Sequence, residues 1–87
     1  MPPVFKRWME VQWPMDRRMI IDHLELAERH IARGTDRVEH QRQLIEELTR
    51  DGQDTTQATA ILTKLEEVLA MQIADRDRLL KELDEST

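Results

Sequence analysis

The sequence predicts an all-α protein: a coiled-coil-like antiparallel hairpin of two long helices, preceded by a short N-terminal arm. Three observations carry this. Apolar and small residues recur at alternating steps of four and three through two stretches, Ile20 to Leu48 and Ala58 to Leu83. A polar segment around Gly52 separates the two stretches. The composition is that of solvated helices, with 36% charged residues against 3% aromatic, and only two Gly.

Residues 1–14, MPPVFKRWMEVQWP, form a unit distinct from the hairpin of residues 15–87. All three aromatics, Phe5, Trp8 and Trp13, sit in this arm between Pro2-Pro3 and Pro14. Three readings stand open. The arm folds as an aromatic-bearing turn over the hairpin, or it is a docking peptide for a partner. In the third, translation starts at Met15, since the codons of Met9-Glu10-Val11 can spell a purine-rich ribosome-binding sequence upstream of it.

The first helix is expected from about Asp16, its N-cap, to Arg50. Its seam reads Ile20, Leu24, Ala27, Ile31, Gly34, Val38, Gln41, Ile45 and Leu48. Gly34 costs about 1 kcal/mol relative to Ala in a helix interior. On the seam it admits a large residue from the facing helix, so a packing role is expected rather than a hinge. In Asp51-Gly52-Gln53-Asp54-Thr55-Thr56, Gly52 suits the left-handed residue that ends a helix. Asp54 or Thr55 can cap the next helix, and Asp54 with Gln57 has capping-box spacing. A calcium loop starting at Asp51 fails, because Leu62 stands where a bidentate Glu is required. The short connection makes the helices antiparallel neighbours. The second helix is expected from about Thr55 to Leu83, with Ala58, Leu62, Leu65, Leu69, Gln72, Arg76, Leu79 and Leu83 on its seam and a frayed tail from Asp84 to Thr87.

Folding about Gly52 sets Gly34 opposite Leu69 and Ala27 opposite Arg76, so that small residues face large ones. Beside the seams His30 falls next to Asp75, His23 next to Glu82, and Leu44 next to Ile61. Two seams leave apolar residues over. Ile21, Ile73 and Leu80 flank one side near the open end; Leu44, Ile61 and Val68 flank the other side near the turn. Contiguous exposed apolar surface marks an interaction site, so these six are the candidate interface. The arm, through Phe5, Trp8 and Trp13, can cover the open end. Near the turn a second chain is needed, and the expected assembly is a homodimer forming a four-helix bundle.

Composition excludes several classes. A domain of this size buries only about 60% of its unfolded surface, too little for a sizeable core. The net charge of −5 is concentrated in residues 51–87, while the arm carries +1. An acidic chain without a basic stripe is repelled by phosphate backbones, so nucleic acid is disfavoured as a general partner. The absence of cysteine rules out disulfides and thiolate metal sites and fits a reducing cytoplasm. No apolar run approaches the roughly 20 residues that cross a bilayer, and no hydrophobic stretch follows Lys6-Arg7, so neither membrane nor secretory signal is expected.

Chemistry-bearing residues have bland readings. His23 and His30, with Asp75 or Glu82, could ligate a metal, but two surface ion pairs explain them more simply. His40 is expected to be solvated. No Glu-x-x-His motif of the di-iron bundles occurs. Arg29, Arg33 and Arg37 form an i, i+4 ladder that Glu25, Glu28 and Asp36 are expected to neutralise. Gln41, Gln72 and Arg76 are polar seam residues of the kind that fix register. Asp75-Arg76-Asp77-Arg78 reads as a solvated, charge-rich turn of helix. No nucleophile, phosphate loop or cleft presents itself, so catalytic residues and cofactors are expected to be none.

The run ERHIARG…HQRQLIEELTRDGQDT…AILTKLEEVLAMQIADRDRLLKEL resembles a group of short uncharacterised bacterial proteins with the pattern ERH…G…Q…L…DGxDT…DRDRL. The resemblance spans about Met15 to Leu83. It implies a helical hairpin and brings no activity with it. The functional expectation is a non-enzymatic, self-associating interaction or adaptor module. The alternative is a small nucleic-acid-linked regulator, antitoxin-like or a repressor accessory, using the Arg29/Arg33/Arg37 edge.

Overall fold

A computed structural model of the chain describes residues 16–86. The arm with Phe5, Trp8 and Trp13, and the alternative start at Met15, lie outside the described residues. Two helices, α1 (Arg17–Arg50) and α2 (Thr56–Glu85), pack against each other as an all-α antiparallel hairpin. At about 1.5 Å rise per residue, the 34 residues of α1 make a rod of about 51 Å.

The caps explain the helix boundaries. Asp16 caps α1 as expected, its Oδ1 accepting from the backbone N–H of Arg18 at 2.7 Å and of Met19 at 3.1 Å. At the other end Gly52 has φ +72°, where a side chain would be strained. The Gln53 N–H donates to the Leu48 carbonyl at 2.8 Å, and the Gly52 N–H to the Thr49 carbonyl at 3.1 Å. These are the two bonds of a Schellman motif, which satisfies the last carbonyls of α1 and turns the chain back.

The start of α2 differs from expectation. Thr55 is the N-cap residue but makes no side-chain capping bond, and the Asp54–Gln57 capping box does not form. Asp54 Oδ1 instead accepts from the Thr56 hydroxyl at 2.7 Å and the Thr56 backbone N–H at 2.9 Å. This local Asx-type turn uses up the carboxylate one residue too early for the box. The tail differs too. Asp84 and Glu85 are helical, and Ser86 ends α2 by donating its N–H to the Glu82 carbonyl and its hydroxyl to that of Leu83.

Every residue of both predicted seams is buried or half-buried. Only Ile20, Val38, Ala58 and Leu79 are buried among the described residues, so the core is one layer of side chains between two rods. Gly34 sets the close approach. A Cβ built there would lie 2.8 Å from Gln72 Oε1 and 3.1 Å from Leu69 Cδ1, so the missing side chain makes room for both. Gln41 fixes the register from within the seam, its Nε2 donating to the Ala58 carbonyl at 2.9 Å. A slip along the seam would strand that amide in a half-buried place without an acceptor.

Two outcomes test these contacts. Leu69→Asp puts an uncompensated charge opposite Gly34 and should destabilise the hairpin by about 3 kcal/mol or more. Circular dichroism melting should then show the cooperative transition lost or strongly shifted; an unchanged melt would refute the seam. The second concerns pH. The hydroxyl and N–H of Thr56 hold the Asp54 carboxyl below its ordinary value of 3.8. A depressed folded-state value means the unfolded chain binds the proton more readily, so this contribution is full above about pH 4 and fades as pH falls through the folded-state value. Asp54→Asn should therefore melt earlier than the parent near pH 6, with the gap narrowing toward pH 2.

Candidate interaction face

Residues seven apart on a helix of this kind share a side, so the heptad spacing sorts each helix into two flanks. On one flank of α1 lie His23, His30, Arg37 and Leu44, with Met19, Leu26, Arg33 and His40 a step further out. The matching flank of α2 carries Ile61, Val68, Asp75 and Glu82, with Lys64, Met71 and Arg78 beyond. The packing joins these flanks into one face. A shallow groove of about 300 Å³ is lined by His30, Arg33, Gly34, Arg37, Val68 and Gln72 among others. A second groove is lined by His23, Leu26, His30, Asp75 and Arg78 among others. His30 lines both, so the two adjoin at that residue along the furrow between the helices.

The opposite face is held differently. Arg42 Nη2 meets Glu66 Oε2 at 3.0 Å across the helices, and Arg76 Nε lies 4.0 Å from Glu28 Oε1. Arg76 also donates to Asp77 Oδ1, at 3.1 Å from Nη2, so this seam arginine leads its head group out between two acids. Each pair is partly exposed and contributes little alone. Together they place charge over the flank where Ile21 and Ile73 sit half-buried.

The six candidate interface residues differ in exposure within the hairpin. Ile21 and Ile73 are already partly covered within the hairpin, leaving Leu80 exposed beside them. Leu44, Ile61 and Val68 are exposed on the His-lined face as expected, but so are Met19, Leu26 and Met71. Among the described residues, six of the seven exposed large apolar side chains therefore lie on that face. The sequence reading passed over Met19, Leu26 and Met71 because they stand a position beyond the usual flank, where a lone apolar residue needs no explanation. The available signal was spacing, since Met19 and Leu26 share the heptad row of Arg33 and His40.

The expected histidine ion pairs do not form. His30 and Asp75 line the same groove, so the register is right, but Arg78 takes both acids, reaching Asp75 at 3.2 Å and Glu82 at 3.9 Å. Arg78 lies three residues from one and four from the other on the same helix, which costs less ordering than reaching across. Neither histidine has an ion-pair partner among the described residues. No group of three or more His, Asp or Glu that could hold a metal occurs among them either.

The arginine ladder is also rearranged. Arg33 and Arg37 line the furrow, whereas Arg29 does not. The expected neutralisation fails, because Glu28 turns to Arg76 on the opposite face. Arg33 and Arg37 have no acidic partner among the described residues.

Among the described residues one buried side-chain polar atom lacks a hydrogen-bond partner: Gln72 Oε1, which occupies the space that a side chain at Gly34 would need.

No family model matches the chain, and neither does any curated protein or solved structure. Among the described residues, no helix is long and apolar enough to cross a membrane.

Proposed function

We propose that this chain is a non-enzymatic protein-interaction module that self-associates through its His-lined face. One observation carries the reading: among the described residues, six of the seven exposed large apolar side chains share that face, while only four residues are buried. A single layer between two rods leaves the apolar groups Leu44, Ile61, Val68 and Met71 in water, and covering them releases that water. A homodimer supplies the cover without any other partner, since a twofold pair needs one self-complementary patch. The lack of cysteine supports a reducing, cytoplasmic setting. Ile61→Glu combined with Val68→Glu should give a chain that stays helical and runs as a monomer by light scattering. A dimer that persists in this double variant rejects the face.

A second reading draws on Arg33 and Arg37, whose guanidinium groups are unspent within the chain. They could contact phosphates in a nucleic-acid-linked regulator, with the overall charge of −5 opposing it. This reading expects a mobility shift of DNA at low salt that disappears as salt rises. No retention on DNA even at low salt dismisses it.

A further inference from the structure

We infer that two copies stack through the His-lined face with their Gly52 turns at the same end, each α1 lying over the partner's α2. The inference rests on the self-association reading and adds its geometry. Two hairpins stacked face to face can be related by a twofold axis running across the helices or along them.

An axis across the helices lays α1 on the partner's α1. From His23 to His40 this flank of α1 carries histidines and arginines and no acid. Full overlap then sets Arg33 upon the partner's Arg33, and Arg37 near the partner's His30. Like charges meet at the centre, and such juxtaposition opposes docking.

An axis along the helices lays α1 over the partner's α2, with every neighbouring helix antiparallel. Heights follow from the contact of Gly34 with Leu69. Counting outward from it, His30 comes level with the partner's Asp75, and His23 with the partner's Glu82, each within about half a helical turn. Toward the turn Leu44 meets the partner's Ile61. Between them the stems of Arg33 and Arg37 lie over the partner's Val68 and Met71, a fit for side chains that bury their carbons and keep the head group wet. His30 and His23 then lie beside a second set of acids, which Arg78 also holds from its own helix.

The chain has no cysteine, so one introduced at the exposed turn is a unique labelling point. Spin labels on Gln53→Cys in the full chain should give a turn-to-turn distance below about 30 Å, set by interhelical spacings of about 10 Å and the label arms. A distance near 50 Å in a persisting dimer, about the length of α1, overturns the arrangement and leaves self-association standing. A strict monomer by light scattering overturns self-association itself, and the arrangement with it. A second measurement mixes Leu44→Cys chains with Ile61→Cys chains under mild oxidation. The mixed disulfide should exceed the self-linked products several-fold; a purely statistical mixture contradicts α1 over α2.

Discussion

The architecture depends on how closely the two rods approach at their middle. Gly34 has no side chain, and Leu69 with the Gln72 amide occupies the space it leaves. A helix interior disfavours glycine, so the residue is retained at a local cost that the packing repays. With that contact set, the Gln41 amide reaches the Ala58 carbonyl nearer the turn, and Arg42 reaches Glu66 across the opposite face. Close approach, register and cross-links all agree on one alignment. A sequence whose local and global preferences coincide in this way specifies one fold rather than several.

The same thinness that makes the hairpin simple makes it incomplete. Two helices share one line of contact, so each keeps two flanks, and the chain treats them unequally. One flank pair is laced with Arg42–Glu66 and Arg76–Glu28 and half-covers Ile21 and Ile73. The other keeps its ion pairs within α2, through Arg78, and leaves its apolar residues facing water beside histidines and arginines that have no acidic partner among the described residues. Asymmetry of this kind distinguishes the two sides: one is cross-linked by ion pairs over half-covered apolar groups, and the other leaves most of the exposed ones facing water.

Much of this was legible in the residues. The four-three alternation located both seams without a slip, and Asp16 and Gly52 announced a helix start and a reversal by their own chemistry. What misled were choices between near-equal partners. Asp54 had Gln57 or Thr56 available, and the nearer group won because it lies two residues away. Asp75 and Glu82 had histidines across the groove or Arg78 on their own helix, and again the local partner won. The surplus apolar residues were sorted onto the right flanks, Ile21, Ile73 and Leu80 on one and Leu44, Ile61 and Val68 on the other, but how far each is covered depends on the separation of the helices, which spacing does not give.

By itself, then, the sequence determined the helices, their reversal and their register, all of which follow from period, caps and the matching of small with large residues along a single line. Only the tertiary structure decided which of the flanking apolar groups are left uncovered and which charges are spent. The reason is geometric: a seam is a property of each helix, whereas a face exists only once two helices lie side by side at a definite separation.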